Sequence, residues 1–118
     1  MAIAGIIGTL GRYWLSGTVQ KLYGGVFPWG TFAVNMAGCF LFGLVWVLAE
    51  ERLLISSQTR VIVLVGFMGA FTTFSSYMFE TTALLRDSEW VLAAANFGLQ
   101  NFCGFAFLLL GVALGRQL

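Results

Sequence analysis

An apolar run from Thr59 to Leu85 is interrupted at its middle by Gly66-Phe67-Met68-Gly69-Ala70-Phe71-Thr72-Thr73-Phe74-Ser75-Ser76-Tyr77-Met78-Phe79-Glu80, and no other stretch constrains the fold as much. A plain membrane helix carries aliphatic side chains throughout. Here two glycines, two threonines, two serines and a carboxylate fall within fifteen positions. Backbone released from helical hydrogen bonding at membrane depth must face protein, an ion or a water-filled cavity. The run is also too long for one ordinary crossing. A transmembrane helix broken near 69–76 accounts for both facts, and predicts backbone that holds an ion and lines a path.

The rest of the chain supports a bilayer setting. Of its 118 residues 59% are hydrophobic and 9% charged, with a mean hydropathy of +0.91, which excludes a water-soluble domain. A helix needs about 20 apolar residues to cross roughly 30 Å of hydrocarbon. The chain therefore accommodates four crossings, at roughly 2–22, 29–49, 59–85 and 90–114, in one all-α transmembrane domain covering 1–118. Six Lys and Arg against five Asp and Glu give a net charge of +1, with no basic tract of the kind nucleic acid selects. Histidine is absent. Cys39 and Cys103 lie far apart inside predicted spans, without metal-ligand spacing, and read as packing residues. Without a nucleophile–base pair or a metal cluster, an enzyme is excluded. The N-terminus shows no charged leader or cleavage pattern, so the first span is expected to remain in the mature protein.

Along the chain, Gly5, Gly8, Gly11 and Gly17 let neighbouring helices approach the first span closely. Arg12 is costly there, about 2.5–3.5 kcal/mol near a span centre on insertion scales. It either faces a vestibule, a partner helix or another chain, or snorkels to the interface beside Tyr13 and Trp14. Tyr23-Gly24-Gly25-Val26-Phe27-Pro28 is a turn that starts the second span. Thr31 and Asn35, four apart, share a face of that span. The Asn35 amide either glues helices or donates to an anion. In the third span Phe74 and Tyr77, three apart, share a face if helix resumes there. They pack in a core or turn their positive ring edges to an anion. Asn96 and Gln100 share a face of the fourth span, either on a polar track with Asn101 nearby or bonded across helices. Glu80 reads equally as a vestibule gate, a protonated carboxyl or an interfacial carboxylate.

With four spans, Arg52, Arg60 and Arg116 fall on one side of the membrane; Lys21 and Arg86, joined or not by Arg12, fall on the other. Orientation follows an excess of Lys and Arg on the cytoplasmic side, and here there is almost none. The expected assembly is an antiparallel homodimer about an axis in the membrane plane, the two-chain counterpart of inverted repeats.

Three motifs in this order and spacing resemble the Fluc (CrcB) family of fluoride channels over nearly the whole chain: Gly8-x-x-Gly11-Arg12-Tyr13, Pro28-x-Gly30-Thr31-x-x-x-Asn35-x-x-Gly38-x-Phe40, and Gly66-Phe67-x-Gly69-x-Phe71-Thr72-Thr73-Phe74-Ser75. The resemblance implies a dual-topology dimer in a prokaryotic inner (plasma) membrane, passively exporting fluoride to relieve its toxicity. It also implies a structural sodium ion at the dimer centre, held by the Gly69 and Thr72 carbonyls of both chains. Asn35 would face the pore and Phe74 would supply a ring. Ser75, Ser76 and Glu80 would continue the polar track, with Thr31 and Thr73 beside it and Arg12 at a vestibule or in a structural place. Departures are Tyr77 in place of the family's second phenylalanine, Asn96 and Gln100 in place of a Tyr and a Ser, and a shorter leader before Gly8. They leave open a channel built with a paralogous subunit, in which this chain does not conduct alone. A small dual-topology multidrug exporter is the other alternative, although its first span carries an essential carboxylate and this one carries Arg12.

Overall fold

The computed structural model describes residues 1–118 and contains helices and connections, with no strand. Helix α1 covers Ala2–Tyr23 and α2 covers Trp29–Glu50. The third segment is composite: α3 (Ser57–Val61), a π-helical stretch (Ile62–Phe67), α4 (Met68–Phe71), two extended residues, then α5 (Phe74–Arg86). Helix α6, Trp90–Gln117, closes the chain. Three segments are long and apolar enough to cross a membrane: Trp29–Glu50, Ser57–Arg86 and Trp90–Gln117. At 22 residues α1 has the length, about 33 Å at 1.5 Å per residue, but its glycines, Arg12, Gln20 and Lys21 lower its apolarity. The long dimension of the molecule, 48 Å, matches the thickness of a bilayer with its headgroups, about 40–45 Å.

Sequence dictates how the helices meet. Gly24 and Gly25 adopt φ of 59° and 80°, a region a Cβ disfavours, and the chain reverses there. Gln20 staples this reversal: its Nε2 donates to the Phe27 carbonyl at 3.1 Å and its Oε1 accepts the Gly30 N–H at 3.0 Å. Gly30 in turn lies against the Ser16 backbone, so α1 and α2 run antiparallel in close contact.

Helices α2 and α6 form the most extensive packing in the molecule. Asn35 meets Gln100, Cys39 meets Gly104 and Gly43 meets Leu108, three contacts all separated by 65 residues. A constant separation of that sign means parallel helices in fixed register. Gly43 and Gly111 each rest against backbone of the opposite helix, at Leu108 and Phe40, where any side chain would collide. Such small residues substitute for the hydrophobic drive that lipid removes. In the same way Gly8 sits on the Phe67 carbonyl, Gly5 faces Gly66, and Gly11 faces Phe71. Helix α1 thus runs parallel to the first half of the third segment. Arg52 secures one end of the bundle by donating to the Arg116 carbonyl at 2.9 Å. Arg116 pairs there with Glu51, and Arg60 with Glu50.

Candidate ion pathway

The third segment leaves helical geometry at Thr72 (φ −85°, ψ 160°) and Thr73 (φ −149°, ψ 116°). Side chains of Thr72, Thr73 and Asn35 meet part of the backbone freed there. Thr72 closes the end of α4 twice, through its N–H (3.0 Å) and its Oγ1 (2.9 Å), both donating to the Met68 carbonyl. Thr73 caps α5: its Oγ1 accepts the Ser76 N–H at 3.2 Å, the capping bond that hydroxyl residues make at a helix start. Asn35 reaches across from α2 and treats Thr73 as a strand would. Its Oδ1 accepts the Thr73 N–H at 2.9 Å, and its Nδ2 donates to the Thr73 carbonyl at 3.0 Å. The second Nδ2 proton goes to Gln100 Oε1 at 3.1 Å. Both donors of Asn35 are therefore engaged within the chain. Room for the threonines comes from Gly38, whose missing side chain is replaced by the Thr72 methyl.

The break brings two opposite helix ends together. The positive end of the α5 dipole opens at Phe74, and the negative end of α4 stops at Phe71. The carbonyls of Gly69 and Thr72 would normally accept from the N–H groups of Thr73 and Ser76, which instead go to Asn35 and to Thr73 Oγ1. Gly69 is exposed, with open space where a side chain would be. Freed carbonyl oxygens without nitrogen or sulfur ligands suit a hard cation such as sodium.

A cavity of about 470 Å³ lies along this face and collects Asn35, Gly69, Thr72, Thr73, Phe74, Tyr77 and Gln100. Its wall carries no Asp, Glu, Lys or Arg. Phe74 is 71% exposed and projects from the chain, whereas Tyr77 is 4% exposed. Their rings meet edge to face, with centroids 5.6 Å apart. The Tyr77 hydroxyl donates to the Phe97 carbonyl at 3.3 Å and accepts from Asn101 Nδ2 at 2.9 Å. It ties α5 to α6.

On the other side of the break a cavity of about 260 Å³ is bordered by Arg12, Tyr13, Ser16, Thr31, Thr73 and Ser76. Thr31 and Ser16 also border a third cavity, about 470 Å³, with Glu80, Gln20 and Asp87. Arg12, Thr31, Thr73, Ser76 and Glu80 thus follow one another from cavity to cavity. One carboxylate oxygen of Glu80 is buried without a hydrogen-bond partner. Ser75 is exposed and borders none of the three. Asn96 is fully buried between α5 and α6, donating to Thr81 Oγ1 at 2.8 Å. Gln20 and Thr81 were not singled out from the sequence; for Gln20 the signal was a long amide one helical turn before a Gly-Gly reversal.

The chain is similar to proteins already characterised by family. The family model described as "CrcB-like protein, Camphor Resistance (CrcB)" matches residues 1–112. A relative from Nitrosococcus oceani, named fluoride-specific ion channel FluC, is 58% identical over 116 residues, covering 98% of this chain and 93% of that one. Relatives of the same name from Solidesulfovibrio magneticus and Desulforapulum autotrophicum are 54% and 50% identical over the same shares.

Proposed function

The chain belongs to the CrcB family, and from that premise we propose that it is a fluoride-specific ion channel, an integral membrane protein that lets fluoride leave the cell passively. It is not an enzyme. The observation that carries the reading is the broken third segment, with α5 opening its positive end beside a largely apolar cavity that also takes in threonine, amide and aromatic side chains and no charged one.

Fluoride is small and strongly hydrated, so a path for it must replace water with hydrogen-bond donors without holding the ion too tightly to release it. Ser76 supplies a hydroxyl near the break, beside the Thr72 and Thr73 hydroxyls that hold the chain there, and Phe74 offers a positive ring edge. Asn35 and Tyr77 shape the same wall, while Ser75, exposed in the single chain, lies outside it. Arg12, Thr31 and Glu80 form a polar approach, where Arg12 raises the local anion concentration without a direct grip. Asn96 holds α5 to α6 behind that wall.

The working unit in this reading is an antiparallel homodimer of four-span chains in a prokaryotic inner membrane. The parallel course of α1 alongside the third segment supports a fourth crossing, and the near-equal count of positive charges on the two sides supports two orientations. Phe74 and Gly69, both exposed in the single chain, would then face the second copy. The Gly69 and Thr72 carbonyls of both copies would hold a sodium ion. When bound, that ion supplies fixed positive charge between the chains. The exporter alternative lacks its carboxylate in α1.

The test is the purified chain alone in potassium-loaded liposomes, with a fluoride electrode outside and valinomycin added. Fluoride efflux with no chloride efflux is the expected result. No efflux of either ion would give the chain the part of a non-conducting subunit.

A further inference from the structure

The break divides the molecule unequally. Asn35 is bonded to both Thr73 and Gln100, so all three lie at one depth. At 1.5 Å per residue, α2 runs from that level about 22 Å to Glu50 one way and about 9 Å to Trp29 the other. Helix α6 likewise runs about 25 Å on to Gln117 but about 15 Å back to Trp90. Helix α5 follows the shorter side and ends after about 18 Å at Arg86. Half a bilayer with its headgroups measures about 20–22 Å. The end that carries the α2–α3 connection therefore reaches the headgroup surface or passes it. The end at which Gln20, Pro28 and Asp87 border the polar cavity with Glu80 stops short of it.

The two ends also differ in charge. At the shorter one Lys21 and Arg86 are balanced by Asp87 and Glu89 and, deeper in, Arg12 by Glu80. At the longer one Glu50 and Glu51 meet three arginines. Arg60 pairs with Glu50 and Arg116 with Glu51. That leaves Arg52, which is exposed and donates only to the Gly115 and Arg116 carbonyls, without a carboxylate partner.

Resting on the reading of an antiparallel fluoride channel, we propose that Arg52 of each copy supplies the entrance charge of the other copy's polar approach. Inversion about an axis at the break sets the long end of one copy beside the short end of its partner on the same membrane face. The Arg52 guanidinium then stands at the rim of an approach whose own side-chain charges balance, and a net charge there gathers anions before they enter. The entrance is incomplete without the second copy.

Salt separates this role from a structural one. In phosphatidylcholine vesicles at an ionic strength of about 0.01 M, where the Debye length is about 30 Å, fluoride flux through Arg52→Gln should be about half that of wild type and through Arg52→Glu about a quarter. Both differences should vanish near about 1 M, where screening acts within about 3 Å. Arg52→Lys keeps the charge and loses the guanidinium fork, and should match wild type at both. Equal losses in the Lys and Gln variants, or a loss that salt does not remove, would make Arg52 a cap of α6 and overturn the proposal. A loss seen only when phosphatidylglycerol is added would assign Arg52 to a lipid headgroup and overturn it as well. Placement is read without flux. With Cys39 and Cys103 replaced by alanine, the Arg52→Cys, Asp87→Cys protein treated with a flexible bis-maleimide should form covalent dimers. Those positions lie at opposite ends of a molecule 48 Å long, so a short linker joins them only between copies. Absence of covalent dimers would overturn the proposal. Wild-type vesicles that pass no fluoride would overturn the fluoride reading along with it, whereas normal wild-type flux with a salt-insensitive Arg52→Gln would overturn this proposal alone.

Discussion

The α2–α6 seam and the break in the third segment solve the same problem in opposite ways. Along the seam both helices are continuous, and contact depends on absence: Gly43 and Gly111 leave room for backbone of the opposite helix. At the break two residues leave the helix in a setting where lipid offers no hydrogen bonds. Contact there depends on particular atoms, the Thr72 and Thr73 hydroxyls and the Asn35 amide. The seam tolerates many apolar neighbours and reacts to volume. The break tolerates little chemical change and reacts to a single proton.

The largest effect expected on that contrast comes from Asn35→Asp. The change is nearly isosteric, yet an ionised aspartate still accepts from Thr73 N–H and has nothing to donate to the Thr73 carbonyl or to Gln100. It leaves two buried acceptors unmet at about 1–3 kcal/mol each, enough to cost about a hundredfold in fluoride flux. Assembly read by gel filtration should remain intact, because the seam is untouched. Unchanged flux would show that the clamp is dispensable.

At the seam the expected result is the reverse. Gly111→Val drives a branched side chain into the Phe40 carbonyl, and overpacking of this kind costs about 1–3 kcal/mol or more. Recovery of monodisperse protein should drop severalfold, while the fluoride flux of whatever assembles stays near normal. A Gly111→Val protein with full yield and lost flux would erase the distinction between the two regions. Gly38→Ala lies where they meet: its methyl competes with that of Thr72, so both yield and flux should fall, each by less than in the dedicated variants.

The sequence made the break legible because Gly, Thr and Ser are conspicuous in an apolar run, and the extended pair Thr72–Thr73 lies within the stretch they mark. The π-helical winding of Ile62–Phe67 was not legible. Its residues are apolar under either winding, and the choice depends on how Gly66 and Phe67 meet α1, a long-range fit. Asn35 stood out as an amide at depth. That its protons would be consumed by Thr73, 38 residues away, depends on tertiary placement. Gln100 lost its ambiguity only once Asn35 was oriented. For α1 the glycines foretold close packing, but its apolarity falls short of that of the other three segments.

The smallest effect should come from Tyr77→Phe, which sharpens the contrast because Tyr77 touches both regions. Its ring borders the cavity and meets Phe74, while its hydroxyl is turned to α6, bonded to the Phe97 carbonyl and to Asn101. Removing the hydroxyl deletes two hydrogen bonds of about 1 kcal/mol each in net terms. The Phe97 carbonyl keeps Asn101 Nδ2 as donor at 2.7 Å, so the loss is partly offset. The ring edge survives the change. Thermal stability in detergent should fall by a few degrees, fluoride flux should stay within about threefold of wild type, and chloride should remain excluded. A larger loss of flux would mean that the hydroxyl turns to the ion during conduction and that the α5–α6 tie belongs to the pathway.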